Sequence, residues 1–202
     1  MLLKLLKMCK LVFVLMGLGL LLSVACNTPY TPKSKGYAAM QFPKKSYQSF
    51  NIAGYPYAFE YPTYAQINKE VNYFGSSKKE DAWLNIDFPI QHATIYISYK
   101  DIQPHQFDTM VRDAYTFVNN HNNKASFISD SVFTTDNGIK GVFFHIGGDV
   151  ATSYQFFLTD SAKHFFRGAL YFNTTPNEDS LAPMNAFIFK DLTHLVNSFR
   201  WK

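Results

Sequence analysis

The clearest chemistry in this sequence belongs to Cys26. It follows Ser23-Val24-Ala25, an apolar run from Leu11 to Leu22, and the lysines Lys4, Lys7 and Lys10. Basic residues, about a dozen apolar residues and then small residues form a secretory signal. A cysteine directly after the small residues points to a lipoprotein signal, cut before Cys26, whose thiol then carries lipid. The expected segments are therefore a signal peptide at 1–25, a tether at 26–46 and a single folded domain at 47–202. Read instead as an uncleaved anchor, the apolar run is short of the ~20 residues a spanning helix needs. Either reading places the domain outside the cytoplasm. Ser23 stands where lipoprotein signals favour leucine, with Leu22 one place further back.

Other chemistry is sparse. His92, His105, His121, His145, His164 and His194 are scattered without His-Glu-x-x-His or another common zinc spacing, so neither a metal nor a cofactor is expected. There is no Gly-x-Ser-x-Gly and no nucleophilic cysteine left after processing. Gly147-Gly148 lacks the spacing and the lysine of a phosphate loop. The stretch Gln155 to Phe172 is the most unusual, with Arg167 set among Phe165, Phe166, Tyr171 and Phe172 near His164. Arg167, His164 and Tyr171 are candidate contacts for a protein partner, because Arg and Tyr dominate binding hot spots. The plainer reading lays the stem of Arg167 along apolar surface with its head in water or on a carboxylate.

The elements that must position these residues follow from periodicity. Phe50-Asn51-Ile52 and Tyr57 to Tyr61 read as strands, and Trp83 to Phe88 and Thr94 to Tyr99 as a hairpin. Phe107, Met110, Val111, Ala114, Val118 and His121 recur at helical spacing within Pro104–Asn122, with Pro104 in the first turn. Four further strands follow: Ala125–Thr134, Lys140–Ile146, Thr152–Leu158 and Lys163–Phe172. Asn137-Gly138 is expected to take positive φ at both turn positions. In the last of these strands Phe166, Gly168, Leu170 and Phe172 share one face, and Phe165, Arg167, Ala169 and Tyr171 the other. Both faces are apolar apart from Arg167, which predicts a central strand covered on both sides. After a linker at 173–180, Phe187, Ile188, Leu192, Leu195, Val196 and Phe199 mark a terminal helix with Pro183 in its first turn. The order predicts an α+β domain, a mainly antiparallel sheet with packed helices. At fold level this looks like the Mog1/PsbP-like architecture, an analogy that transfers no function.

Composition excludes some partners. The formal net charge is +4, but three of the 19 Lys and Arg and none of the 15 Asp and Glu precede Cys26. The mature chain then holds 16 basic against 15 acidic residues, and a nucleic-acid reader would carry a basic surplus. Of the two cysteines, Cys9 lies in the signal and Cys26 takes lipid, so no disulfide is available. Aromatics at 17% predict a core of Phe and Tyr.

Several stretches together resemble the GldD family, gliding-motility lipoproteins of Bacteroidetes. They are the signal, Cys26 to Lys33, Tyr57 to Pro62, Trp83 to Ile86, Ile95 to Lys100, Gln155 to Phe172, Pro176 to Pro183 and Phe199 to Lys202. The resemblance spans essentially the whole chain. Ala82 departs from it, standing where a cysteine would be expected before Trp83. The resemblance implies a lipid-anchored, non-enzymatic accessory factor, working through contacts with gliding and type IX secretion machinery proteins. It implies no catalytic or agreed binding residues. The alternative is a periplasmic ligand-binding module or enzyme with a pocket on the sheet around Arg167 and His164. No acidic cluster follows Cys26 of the kind that surface-exposed lipoproteins of Bacteroidetes carry, so a periplasm-facing domain of the cell envelope is expected. Asp130-Ser131-Val132, Asp160-Ser161-Ala162 and Asp179-Ser180-Leu181 resemble the O-glycosylation acceptor of that phylum, making Ser131, Ser161 and Ser180 candidate sites. Asp-Ser pairs also mark turns and helix caps without any sugar.

Overall fold

The structure is a computed structural model, and it describes residues 40–69 and 82–202 together with Lys7, Lys10 and Met16. Cys26 and the cleavage point expected before it lie outside the described residues. The fold belongs to the compact unit Ala39–Lys202.

Among the described residues there are ten strands and two helices, and two of the strands, Gln66–Asn68 and Arg200–Trp201, are additions to the elements expected from periodicity. The strands are β1 (Tyr47–Phe50), β2 (Tyr57–Pro62), β3 (Gln66–Asn68), β4 (Leu84–Phe88), β5 (Ala93–Asp101), β6 (Ala125–Thr134), β7 (Lys140–Gly148), β8 (Tyr154–Thr159), β9 (His164–Phe172) and β10 (Arg200–Trp201). The helices are α1 (Phe107–Asn119) and α2 (Glu178–Ser198). Seven strands form one antiparallel sheet in the order β3-β4-β5-β9-β8-β7-β6, and β1, β2 and β10 form a smaller one. The fold is thus α+β with antiparallel sheets and packed helices, and β9 lies at the centre of the large sheet.

The two faces of β9 are buried by different layers, because side chains alternate along a strand. Phe166 and Leu170 enter the main core with Phe59 of β2 and Ile188, Leu192 and Leu195 of α2. Phe165 joins a second core with Val142, Phe144 and Phe157, closed by Ala114 and Val118 of α1. Gly168 is required at a close approach: a Cβ there would lie 2.4 Å from the ring of Phe156.

Several boundaries differ from the periodicity: β1 runs Tyr47–Phe50, so Asn51 and Ile52, expected in that strand, lie outside it. Pro104 precedes α1 in a turn where Gln106 N–H donates to Gln103 O, so the helix starts only at Phe107. Pro183 lies inside α2 rather than in its first turn, because Asn177 caps the helix earlier by accepting from Ser180 N–H at 2.8 Å. Glu178 and Asp179 reinforce that start by favourable interaction with the helix dipole. The β6–β7 turn has positive φ at Gly138 and not at Asn137. Asn137 is instead used to hold α2, donating to Asn197 O at 3.1 Å and Phe199 O at 3.4 Å.

Residues 40–46, expected within the tether, lie against α2. Phe42 stacks on Phe187 with ring centroids 4.4 Å apart, and Lys45 Nζ donates to Asp191 Oδ2 at 2.6 Å. Proline and lysine made this stretch look unstructured, and the partners that order it sit some 145 positions later.

Candidate functional site

Arg167 occupies the α1 side of the central strand, opposite Ser98 of β5 and Phe157 of β8. Its guanidinium donates to Gln155 Oε1, and its Cζ lies 4.7 Å from the centre of the Phe117 ring of α1. Phe117 is 50% exposed. The charged head is therefore held between a buried amide and a half-open aromatic face, an arrangement of about 0.5–2 kcal/mol for the cation–π contact. Because a guanidinium only donates, the Gln155 oxygen must face it. That leaves Gln155 Nε2 buried and unpartnered among the described residues.

His121 at the end of α1 stands in the same field. Burial first, and the Arg167 charge second, hold its imidazole below the ordinary value. Tyr171 lies further along the same face of β9, edge-on to Tyr96 at 5.6 Å. Burial pushes its phenol up and Arg167 opposes that shift. Arg167 and Tyr171 are both half-buried, so part of each reaches the surface.

His164 is not part of this cluster. It points to the opposite face, 7% exposed, with its ring stacked on Trp201 at 4.9 Å. Tyr99 OH donates to Asp101 Oδ1 at 2.6 Å, so its oxygen is left to accept from His164 Nδ1, also at 2.6 Å. The bonds fix the proton on Nδ1 and mark His164 as an interior residue that joins β9 to β5 and β10. No pocket can therefore contain both Arg167 and His164: the sheet lies between them.

A cavity of 140 Å³ does exist elsewhere, between α2 and the β7–β8 pair, lined by His145, Ser153, Tyr154, Glu178 and Asn185 among others. Asn185 donates to Ser153 Oγ at 3.0 Å and keeps its Oδ1 buried without a partner among the described residues. Burial lowers the His145 pKa, and Glu178 opposes the shift.

The three candidate acceptor serines are exposed but differ in setting. Ser131 lies in β6, Ser161 in the β8–β9 turn at φ 63°, and Ser180 in the first turn of α2. Asp160 is the turn former its sequence suggests. Burial would raise its pKa, but N–H bonds from Lys163, His164 and Ala162 at 2.8–3.0 Å hold it below the ordinary carboxylate value.

One cluster escaped the sequence altogether. Asp191 of α2, 1% exposed, accepts from Lys45 at 2.6 Å and Tyr64 OH at 2.7 Å on one oxygen, and from Tyr47 OH at 3.1 Å on the other. Lys45 Nζ also lies 3.3 Å from the centre of the Phe187 ring. A signal was present: Asp191 falls on the same buried stripe as Phe187, Ile188 and Leu195. A carboxylate there must be paired.

Among the described residues no group of three or more His, Cys, Asp or Glu is placed to hold a metal, and no helix is long and apolar enough to cross a membrane. The family model described as "Gliding motility lipoprotein GldD" matches residues 27–201. No curated protein matches the chain. Among solved structures, the solution structure of cyanobacterial PsbP from Synechocystis sp. PCC 6803 is similar at 14% identity and a TM-score of 0.45, over 82% of this chain and 98% of that one.

Proposed function

Since this chain belongs to the GldD family of gliding motility lipoproteins, we propose that it is a lipid-anchored, non-enzymatic assembly factor for the gliding and type IX secretion machinery. It acts through protein contacts, with its domain facing the periplasm and lipid on Cys26. The observation that carries this reading is the extent of the match: it begins at Asn27, directly after the cysteine, and runs to Trp201. Arg167 and Tyr171 are the contact residues. A guanidinium preorganised by Gln155 and Phe117 loses little side-chain freedom on binding, which is what makes an arginine an effective anchor. Ser131, Ser161 and Ser180 are its candidate glycan acceptors, and intact mass of the native protein distinguishes lipid plus sugar from lipid alone.

Cross-linking in native membranes, followed by affinity purification, tests the contacts. Wild type should recover machinery components, and Arg167→Ala should recover at least about tenfold less, the loss of one hot spot. Equal recovery by Arg167→Ala removes that residue from the interface. Failure of the wild type to recover any component sinks the assembly reading. Cys26→Ala should release or mislocalise a correctly folded domain and abolish gliding or secretion; full activity in that variant contradicts the anchored factor.

A second reading, a small-ligand module, is favoured by the cavity beside Asn185 rather than by the surroundings of Arg167. Native mass spectrometry of protein taken directly from the envelope would show a retained small molecule.

A further inference from the structure

The large sheet ends very differently at its two edges. β3 is three residues long, whereas β6 runs for ten, about 34 Å. Among the described residues β6 has a neighbour on one side only. Its sequence, Ala125 to Thr134, holds none of the Lys, Arg or Pro with which long edges are normally blunted. The single irregularity, between Ala125 and Phe127, leaves Ile128–Thr134 in regular register.

The hydrogen-bond phase says which groups face outward. Thr135 N–H donates to Ile139 O at 2.9 Å, making that a bonded pair. Antiparallel pairs alternate between bonded and non-bonded. Phe133, Ser131 and Ser129 are therefore bonded to β7, while the N–H and C=O of Ile128, Asp130, Val132 and Thr134 turn away from it. The β7–β8 pair agrees: Ile146 N–H donates to Ser153 O, which leaves the odd-numbered residues of β7 for β6.

We propose that β6 is a docking edge that accepts one extended segment of a partner protein as an added antiparallel strand. This rests on the protein-contact reading above and names the surface and its chemistry. The outward backbone groups supply affinity, and the side chains between them supply selectivity. Ile128, Asp130 and Val132 alternate on the α1 side, and Val132 is 79% exposed. Asp130 is the one charge on the strand. The segment that fits carries a basic residue opposite Asp130 and apolar residues two places to either side, against Ile128 and Val132. A second copy fits less well. Two-fold pairing centred on Asp130 sets two carboxylates face to face, and the neighbouring registers leave Asp130 opposite Val132 or Ile128.

The test uses the full chain in detergent and a synthetic peptide, Thr-Val-Thr-Lys-Thr-Val-Thr, beside a control with Glu in place of Lys. Amide hydrogen exchange is read at Ile128, Asp130 and Val132, whose N–H groups face away from β7. The Lys peptide should slow exchange there by at least about tenfold, and the Glu peptide should not. Val132→Pro deletes an outward N–H that the β6–β7 ladder does not use, so the fold stands and the protection disappears. Asp130→Lys should reverse the preference, binding the Glu peptide. No slowing with the Lys peptide, equal slowing with both, or protection without peptide that fades on dilution would each overturn the proposal, the last in favour of a dimer. None of these outcomes bears on whether the protein serves the machinery. Conversely, unchanged recovery of machinery components by Val132→Pro rejects the edge and leaves the protein-contact reading intact.

Discussion

At the scale of single residues, the decisive feature is how polar groups inside an aromatic core are paid for. Asp191 is buried among Phe187, Ile188 and Leu192 because Lys45, Tyr64 and Tyr47 together satisfy its oxygens. Asp191→Ala should cost about 2–4 kcal/mol in denaturant unfolding, discounted because Lys45 keeps part of its side chain in water. A loss below about 0.5 kcal/mol would mean that the cluster is dispensable. Arg167 shows the opposite arrangement. Its charge is kept near the surface, but Arg167→Ala strands the buried Gln155 oxygen and removes the Phe117 contact, so it should cost about 1–3 kcal/mol in stability as well as weakening the partner contact.

At the scale of elements, steric fit and caps set the boundaries. Gly168→Ala would drive a methyl group into the buried Phe156 ring and should cost about 1–3 kcal/mol, measured as a fall in unfolding midpoint. Asn177→Ala removes the acceptor for Ser180 N–H and should cost about 1 kcal/mol, with fraying limited to the first turns of α2. The strands were legible because each has a period of two with few interruptions; Leu84, Ile86 and Phe88 alternate with Asn85 and Asp87. The exact start of α2 was not, because Pro183 suggests a first turn while the true cap, Asn177, sits in a polar stretch that reads as linker. β3 and β10, of three and two residues, are too short to show any period.

At the scale of the molecule, stability responds to pH through two partly desolvated histidines, His121 just past α1 and His145 of β7. Burial lowers the pKa of His121 and of His145 from the ordinary 6.5. The unfolded chain thus binds more protons than the folded one once pH drops below that value. The stability these groups contribute is present above pH 6.5 and is lost as pH falls through their folded values. A second loss follows below 3.8 as Asp160 is protonated. Unfolding midpoints measured between about pH 7.5 and 5 should fall, and His121→Asn should flatten part of that slope; a flat wild-type profile would contradict the assignment.

The sequence by itself determined the α+β class, the central covered strand and the family. All of these rest on local order and alternation, which the chain displays along its length. Only the tertiary structure decided that Arg167 and His164 face opposite layers, that Lys45 belongs to the folded unit, and that β6 is the long edge strand among the described residues. Those depend on which distant segments meet. Lys45 finds Asp191, Arg167 finds Phe117, and β6 finds β7 on one side alone among the described residues. Periodicity carries no information about pairings of that range, because the energy that fixes them comes from burial shared between elements rather than from either element alone.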